Sequence, residues 1–294
     1  MRWLITGARG QLGTDLQQVL AAAGVAESEV RAVGSAELDI TDGLAVENTI
    51  ASFRPDVLLN AAAYTAVDAA ETDVERAYTV NASGPALLAA AAARHDTRMI
   101  HVSTDYVFDG QSSRPYEVDD PTGPQSAYGR TKLAGELAVR ELAPEHGYVV
   151  RTAWVYGATG ANFVKTMVKL ERSHDTLTVV DDQRGSPTWS ADLARGLVEL
   201  ARSTAPAGIY HCTNAGETTW YGFTRAIFSE LGADPDRVQP TTTDKFPRPA
   251  PRPAYSVLST RSWQQAGLAP MRDWRSALAD AFAYIGDELR TVST

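Results

Sequence analysis

The sequence predicts an α/β fold: a doubly wound parallel sheet with a smaller C-terminal α/β lobe. Three observations lead to this prediction. Short β-like runs alternate with helical patterns through the first half of the chain, a glycine-rich turn directly follows the first run, and the regularity weakens after Gly157. Strand–helix alternation of this kind builds parallel sheets that helices cover on both faces.

The first half contains five expected strands, with a helical segment between each strand and the next. The strands are expected at residues 2–5, 30–33, 57–60, 99–103 and 149–155. The helices are expected at residues 11–23, 44–53, 74–94 and 128–142. No internal repeat and no low-complexity tail interrupts this order.

The second half is less regular. A strand at residues 177–180 and a helix at residues 190–202 still fit the sheet domain, whereas the chain from Gly208 mixes turns, short strands and aromatic helices. A stiff extended segment follows, set by the prolines Pro247, Pro249, Pro251 and Pro253. We therefore expect two interleaved lobes. The sheet domain comprises residues 1–156 and 175–205, and the second lobe comprises mainly residues 157–174 and 206–294.

Composition excludes several classes of protein. A net charge of −9 argues against a general binder of nucleic acid or of acidic membranes. No apolar run reaches the roughly 20 residues that a membrane helix needs, and the start has no signal-peptide pattern, so a cytoplasmic protein is expected. The single cysteine, Cys212, allows no internal disulfide and is expected to be a small buried hydrophobic residue. No Cys/His spacing predicts a metal site.

The glycine-rich turn has the sequence GARGQLG at residues 7–13, with glycines at positions 7, 10 and 13. Glycine lets a backbone approach a phosphate without a Cβ clash, and the helix that follows directs its free N–H groups towards the same point. A plain turn could carry three glycines, but this one stands between a strand and a helix close to the N-terminus. That context predicts a dinucleotide site of the Rossmann type.

The choice between NADPH and NADH depends on the end of the second strand. Residues 33–35 offer no acidic side chain for the ribose hydroxyls of NAD, and Arg9 could meet a 2′-phosphate instead. The sequence therefore predicts NADPH and leaves NADH open as a second cofactor. Asp39 is placed to bind the adenine amino group, although Asp39 or Thr41 could equally cap the next helix.

Tyr128 and Lys132 form a Y-x-x-x-K motif at the start of an expected helix. Residues four apart lie on one helical face, where a lysine ammonium lowers the pKa of a neighbouring phenol. Such a tyrosine can donate a proton to a carbonyl oxygen as a hydride arrives. Thr104 or Ser103, at the end of the strand between the turn and this helix, would align the carbonyl.

Taken together, the G-x-x-G-x-x-G turn and the Y-x-x-x-K motif resemble the extended short-chain dehydrogenase/reductase superfamily. Within it, the chain resembles the dTDP-4-dehydrorhamnose reductase family, and the run DYVFDG is the most specific match. The matching segments span most of the chain and lie at residues 5–13, 60–68, 103–110, 128–136, 151–157 and 182–188.

The resemblance implies a hydride transfer to the C4 keto group of a dTDP-linked sugar and assigns roles to individual residues. The catalytic residues implied are Tyr128, Lys132 and Thr104. The cofactor-binding residues implied are Gly7, Gly10, Gln11, Leu12, Gly13, Asp39, Ile40, Ala61, Ala62, Ala63, Tyr64, Thr65, Val102, Tyr128 and Lys132. The substrate-binding residues implied are Thr104, Asp105, Tyr106 and Trp154. Trp154 would stack against the deoxysugar, and Asn81 would support a water molecule near Lys132.

Related activities fit less well. A 4,6-dehydratase uses an Asp-Glu pair after the threonine, whereas Tyr106 follows Asp105 here. The run from Tyr106 to Phe108 does not resemble a 4-epimerase either. Two alternatives stay open: a nucleotide-sugar 4-ketoreductase with another product, and a non-catalytic NADP-binding subunit like the β subunit of methionine adenosyltransferase.

The resemblance leaves oligomer, metal and diphosphate contacts open. Some family members are metal-bridged dimers, and Asp15 matches one position of such a site. No glutamate partner is evident near Ser190 or at the C-terminus, so the resemblance allows a homodimer, leaves a Mg²⁺ requirement open and assigns no metal ligands. Arg184, Arg252 and Arg261 are candidates for the substrate diphosphate or for surface salt bridges.

Overall fold

The computed structural model describes residues 1–290, with side chains described up to residue 286. Its strands are β1 (Trp3–Thr6), β2 (Val30–Val33), β3 (Val57–Asn60), β4 (Arg98–Thr104), β5 (Gly147–Thr152), β6 (Val155–Tyr156), β7 (Leu177–Val180), β8 (Arg184–Gly185), β9 (Thr188–Trp189), β10 (Gly208–His211), β11 (Thr218–Thr219) and β12 (Val238–Thr241). Its α-helices are α1 (Gln11–Ala22), α2 (Gly43–Phe53), α3 (Val74–Tyr78), α4 (Gly84–Arg94), α5 (Ala127–Leu142), α6 (Phe163–Ser173), α7 (Ser190–Arg202), α8 (Trp220–Glu230), α9 (Arg261–Gln265) and α10 (Trp274–Arg290).

A six-stranded parallel sheet forms the centre, in the order β10-β5-β4-β3-β1-β2. Its side chains alternate between two hydrophobic cores, as the period of a strand requires. Trp3 and Ile5 of β1 pack with the apolar faces of α1 and α7, whereas Leu4 packs with those of α2, α4 and α5. Helices therefore cover both faces, which confirms the predicted doubly wound sheet.

The second lobe has a core of its own, dominated by aromatic side chains. Tyr156, Phe223, Phe228 and Trp274 pack there with the apolar faces of α6, α8 and α10. Two short parallel pairs, β7 with β12 and β6 with β9, and one antiparallel pair, β8 with β11, complete it.

Two strands lie in different sheets from those expected. The strand at residues 177–180 was expected in the main sheet, but β7 pairs with β12 in the second lobe. Conversely, β10 lies within the range 206–294 expected for the second lobe, but it pairs with β5 at the edge of the main sheet. A four-residue apolar run does not show which sheet it joins, because that depends on where the helix before it packs. Here α7 packs against α1 and returns the chain to the main sheet.

Two expected elements are interrupted. The helix expected over 74–94 is divided into α3, a π-helical turn at Thr79–Ser83, and α4. The strand expected over 149–155 ends at Thr152, and Trp154 adopts a left-handed conformation with φ of 49° before β6 begins. Both interruptions lie at the edge of the sheet where its parallel strands end.

Among the helices of the described part of the chain, none has the length and apolar content needed to cross a membrane. Cys212 is fully buried in the main core, as the sequence predicts, and burial raises the pKa of its thiol.

Candidate active site

The expected site residues all follow, or stand at, the carboxyl ends of the central strands. Because these strands are parallel, their carboxyl ends meet at one edge of the sheet, where open α/β sheets bind ligands. The groups are Gly7–Gly13 after β1, Asp39 and Ile40 after β2, Ala61–Thr65 after β3, Val102–Tyr106 at the end of β4, Tyr128 and Lys132 on α5, and Trp154 after β5.

The turn at residues 7–13 packs too closely for a side chain at two of its glycines. Gly7 has φ of 70°, and a Cβ added to it would lie 2.6 Å from the Ala62 nitrogen. A Cβ added to Gly13 would lie 2.2 Å from the carbonyl oxygen of Gly7. At Gly10, the N-cap of α1, no side chain caps the first-turn N–H groups. Such a turn, with uncapped N–H groups, fits a dinucleotide pyrophosphate.

A carboxylate that the sequence analysis missed lies at the end of β2. Glu37 accepts the N–H of Gly34 at 2.9 Å and forms an ion pair with Arg9. The Gly34 N–H, with Arg9, lowers the pKa of Glu37. The sequence signal was a glutamate four residues beyond the strand, since a side chain of that length can reach back over a short turn.

The structure distinguishes the two roles predicted for Asp39, which are a contact with adenine and the N-cap of α2. Asp42 caps α2 by accepting the N–H groups of Leu44 and Ala45 at 3.0 Å, so neither Asp39 nor Thr41 is that cap. Asp39 is exposed and accepts two hydrogen bonds from Thr41, which lower its pKa. Its proposed contact with adenine stays a prediction.

Asn81 fixes the segment after β3. It lies fully buried in the π-helical turn, where its Oδ1 accepts the N–H of Tyr64 at 2.8 Å. Its Nδ2 donates to the Tyr64 carbonyl and to Thr131 Oγ1, both at 3.1 Å. These bonds join the expected cofactor segment to α5.

Tyr128 and Lys132 stand on one face of α5, which begins after the N-cap Ser126. Lys132 is 2% exposed, and its Nζ donates to the Val102 carbonyl at 2.6 Å. The Tyr128 ring meets that of Tyr106 edge to face, with centroids 5.6 Å apart. A Cβ added to Gly129 would lie 2.3 Å from the Tyr106 carbonyl oxygen, so this glycine lets the helix begin against the segment that follows β4.

The electrostatics of this pair differ from the expectation that Lys132 lowers the pKa of Tyr128. Burial instead raises the pKa of Tyr128 to about 12, with Asp105 adding to the shift and Thr104 opposing it. Burial also lowers the pKa of Lys132 to about 8. A phenol with so high a pKa is protonated at neutral pH, the state that a proton donor needs.

Thr104 is held between two neighbours. Its hydroxyl donates to Asp105 Oδ1 at 2.9 Å and accepts the N–H of Tyr106 at 3.2 Å. Asp105 is 2% exposed, and burial raises its pKa to about 6, with the Ser256 and Thr104 hydroxyls opposing the shift. Ser103, the alternative to Thr104, is buried without a partner for its hydroxyl among the described residues.

Trp154 is already stacked. Its ring lies parallel to that of Trp220, with centroids 3.5 Å apart, and a Cβ added to Gly185 would lie 2.5 Å from it. Trp220 therefore covers one face of the indole that was expected to stack on a sugar. The stacking role stays a prediction, and only surface of the indole left free by Trp220 can serve it.

Each of the three candidate arginines has an acidic partner. Arg252 binds Asp68 at 2.9 Å, Arg184 binds Glu217 at 3.1 Å, and Arg261 lies 3.4 Å from Glu117. Arg252 differs from the other two because it lines a cavity of about 230 Å³ that Tyr106 also lines.

No group of three or more His, Cys, Asp or Glu side chains that could hold a metal ion occurs in the described residues. Asp15 is 5% exposed and accepts a hydrogen bond from Ser190 Oγ. Burial raises its pKa, and the Ser190 hydroxyl opposes the shift.

The sequence analysis also missed two buried polar residues beneath the site, Asn60 and His101. Asn60 Nδ2 lies 2.9 Å from His101 Nδ1, and His101 Nε2 lies 3.5 Å from Lys132 Nζ. Their signal was a polar residue within an otherwise apolar run of strand length.

Comparison with known proteins gives concordant matches. A family model described as RmlD substrate binding domain matches residues 1–286. The chain is 53% identical over 285 residues to a protein of Streptomyces griseus named dTDP-4-dehydrorhamnose reductase, covering 96% of this chain and 93% of that one. It is 51% identical over 283 residues to a Streptomyces antibioticus protein named probable dTDP-4,6-dihydroxy-2-methyloxan-3-one 4-ketoreductase, covering 96% and 95% of the two chains.

A solved structure agrees with both. The crystal structure of a Bacillus anthracis dTDP-4-dehydrorhamnose reductase in complex with NADP superposes with a TM-score of 0.91 at 36% identity. The match covers 96% of this chain and 99% of that one.

Proposed function

Because the chain belongs to the RmlD substrate binding domain family, we propose that it reduces the C4 keto group of dTDP-4-dehydrorhamnose with NADPH to give dTDP-L-rhamnose. One observation carries the proposal. Tyr128, Lys132 and Thr104 lie at the same sheet edge as the turn at residues 7–13, which has no room for a side chain at Gly7 or Gly13. The proton donor, the lysine and the expected pyrophosphate site therefore lie together at one edge of the sheet.

The residues divide the reaction between them. Bound NADPH supplies the hydride, and the first turn of α1 binds its pyrophosphate. Tyr128 donates its phenolic proton to the carbonyl oxygen as that oxygen gains charge. Thr104 turns its hydroxyl from Asp105 to the same oxygen and aligns it, and Lys132 binds the nicotinamide ribose.

A 4-ketoreductase with another product is the second candidate, because the relative of that kind is almost as similar as the first. The identities to the two Streptomyces proteins are 51% and 53%, so overall similarity does not separate their substrates. In contrast, a non-catalytic subunit gains no support, since both relatives carry names of reductases.

Steady-state assays test both candidates. The purified protein is supplied with NADPH and either dTDP-4-dehydrorhamnose or the substrate that the second relative's name gives, dTDP-4,6-dihydroxy-2-methyloxan-3-one, and NMR identifies the product. We expect a higher kcat/KM for the first substrate and a rhamnose product. Equal or better use of the second supports the alternative, and no oxidation of NADPH with either substrate contradicts both.

We place the substrate diphosphate beside Arg252, since this arginine lines the cavity that reaches Tyr106. A guanidinium binds phosphate oxygens in pairs, so the diphosphate would replace Asp68 as its partner. The division into a dinucleotide-binding domain and a substrate lobe, the homodimer and the cytoplasmic location remain predictions. Light scattering of the purified protein tests the homodimer.

A further inference from the structure

A line of buried polar contacts runs beneath the candidate active site, across three strands and onto α5. Thr6 Oγ1 donates to Asn60 Oδ1 at 2.7 Å, Asn60 Nδ2 lies 2.9 Å from His101 Nδ1, and His101 Nε2 lies 3.5 Å from Lys132 Nζ. None of the four side chains is more than 2% exposed. Buried groups of this kind must satisfy one another, so each contact constrains the next.

The line fixes the tautomer of His101. Asn60 Oδ1 accepts twice, from the Thr6 hydroxyl and from the N–H of Ala62 at 3.2 Å, so the amide presents its Nδ2–H to the ring. His101 Nδ1 therefore accepts, and a neutral imidazole that accepts at Nδ1 carries its proton on Nε2. Burial holds the pKa of His101 well below its usual range, which keeps the ring neutral.

The Nε2–H of His101 consequently faces Lys132 Nζ. An ammonium has three donors and no acceptor, so it gains nothing from a second donor, whereas a neutral amine can accept that hydrogen with its lone pair. The carboxylate one turn along α5, Glu136, raises the pKa of Lys132 only in part because Arg151 engages it through three contacts of 2.7 to 3.2 Å.

Two further ionisable side chains of this region are Tyr128 and Asp105. Tyr128 stands one helical turn before it, and Asp105 is close enough to Tyr128 to raise the pKa of that phenol. Gly135 lets α5 pack closely against His101 and Asn81. A Cβ added to it would lie 3.5 Å from His101 Nε2 and 2.1 Å from the Asn81 carbonyl oxygen. His101 is thus the ring that packs directly below the lysine.

We propose that His101 is a positioning residue: its Nε2–H, fixed by Asn60, holds Lys132 Nζ against the Val102 carbonyl and favours the neutral amine. Burial lowers the pKa of Lys132 to about 8, which brings the amine within the range where such a contact decides its charge. The consequence for catalysis rests on the proposed function, because Lys132 binds the cofactor ribose beside Tyr128.

Two variants separate this role from mere filling of space. His101→Gln keeps an acceptor for Asn60 and a donor for Lys132 without the ring, whereas His101→Phe keeps the shape of the ring without its polar atoms. We expect kcat for H101Q to exceed that for H101F by about tenfold or more. If H101F matches or exceeds H101Q, the ring only fills space and the proposal is wrong.

The charge of Lys132 is measured directly in the protein without substrate. The chain has four lysines, and Lys165, Lys169 and Lys245 are all more exposed than Lys132. In protein labelled with ¹³C at lysine Cε, we expect the Lys132 signal to titrate below the usual range of a lysine, because burial lowers its pKa. Its pKa should rise by about one unit in H101F and stay near the wild-type value in H101Q. An unchanged titration in H101F would overturn the proposal.

Two controls complete the experiment. His211 is an equally buried histidine with a strongly lowered pKa that does not contact Lys132, so His211→Phe should leave the Lys132 titration unchanged. If H101F does not fold, ¹⁵N spectra of histidine-labelled wild-type protein decide. A proton on Nε2 of His101 supports the proposal, and a proton on Nδ1 overturns it.

These spectra also keep the two proposals apart. A wild-type protein that shows the expected titration and tautomer, but reduces neither sugar nucleotide, contradicts the proposed function and leaves His101 in its role. A protein that reduces the substrate while Lys132 titrates alike in wild type and H101F contradicts only the role of His101.

Discussion

At the scale of single residues, Tyr128 is the group on which the proposed chemistry depends most. Its phenol stays protonated at neutral pH because burial and the nearby Asp105 raise its pKa to about 12. Protein surroundings that disfavour the phenolate keep the proton available until the carbonyl oxygen develops charge. The surroundings of Tyr128 therefore suit a donor in the direction of reduction.

Tyr128→Phe removes that proton and little else. We expect kcat to fall by roughly 10²- to 10⁴-fold, the usual contribution of a positioned general acid. The dissociation constant for NADPH should stay within about twofold, because the ring still packs against Tyr106. Stopped-flow turnover and fluorescence titration measure the two quantities. A variant with near-normal kcat would contradict the mechanism.

Arg9 and Glu37 should together set the choice of cofactor. A glutamate at this point can accept the ribose hydroxyls of NADH, and the arginine can bind the 2′-phosphate of NADPH. Glu37→Gln should therefore raise the ratio of kcat/KM for NADPH over NADH, and Arg9→Gln should lower it. Both side chains are largely exposed, so we expect changes of about tenfold or less. Shifts of the same sign in both variants would contradict this assignment.

Asp105 gives the protein a predictable dependence on pH. Its folded-state pKa, about 6, lies above the ordinary aspartate value of 3.8, so folding favours the protonated form. The contribution of Asp105 to stability is full below pH 3.8 and decreases as the pH rises towards 6 and beyond. Asp105→Asn does not lose a proton, so relative to wild type it should gain about 2 kcal/mol between pH 4 and pH 7.

Urea denaturation at the two pH values measures that gain. Asp109→Asn is the matched control with the opposite sign, because the Tyr116 hydroxyl lowers the pKa of Asp109. That variant should lose stability relative to wild type as the pH rises. If the stability gain of D105N over wild type does not grow with pH, folding does not raise the pKa of Asp105.

At the scale of elements, sequence reasoning located the strands well and the interruptions poorly. β2, β3 and α7 have the bounds expected from their patterns, because apolar runs and helical spacing are local properties. The π-helical turn at Thr79–Ser83 could not be predicted. It exists because Asn81 bonds to Tyr64 and Thr131, which are distant in sequence.

The contact between this turn and α5 should be intolerant of a single methyl group. A Cβ at Gly135 would lie 2.1 Å from the Asn81 carbonyl oxygen, so Gly135→Ala must displace the turn or the helix. We expect it to lower the free energy of unfolding by about 1 to 3 kcal/mol. Gly286 of α10 has no atom within 4 Å of an added Cβ, and Gly286→Ala should be neutral or stabilising by up to about 1 kcal/mol.

Thermal and urea unfolding of both variants compare the two glycines directly. Equal effects would mean that helix propensity, which the substitutions share, outweighs the close approach at Gly135. Weaker binding of NADPH by G135A would further show that the Asn81 turn positions the cofactor segment at Tyr64.

At the scale of the whole molecule, the strand–helix alternation was enough to predict the doubly wound sheet, but not which late strands join it. β10 closes the sheet beside β5 after the chain has already passed through the second lobe, and β7 stays in that lobe. Those pairings depend on long-range packing that a four-residue apolar run does not encode. The motifs placed Tyr128, Lys132 and the glycine turn at one edge, whereas Asn60 and His101 became visible only once the strands stood side by side.

Metal dependence also concerns the whole molecule, because a bridging ion would join two subunits. Asp15 is 5% exposed and already bonded to Ser190, so an ion would have to displace that hydroxyl and pull the carboxylate from the core. We therefore expect protein treated with EDTA to keep its kcat and its mass in light scattering. Asp15→Asn, which keeps an acceptor for Ser190, should behave alike. A loss of mass or turnover that Mg²⁺ restores in wild type, but not in D15N, would instead show that Asp15 is a ligand.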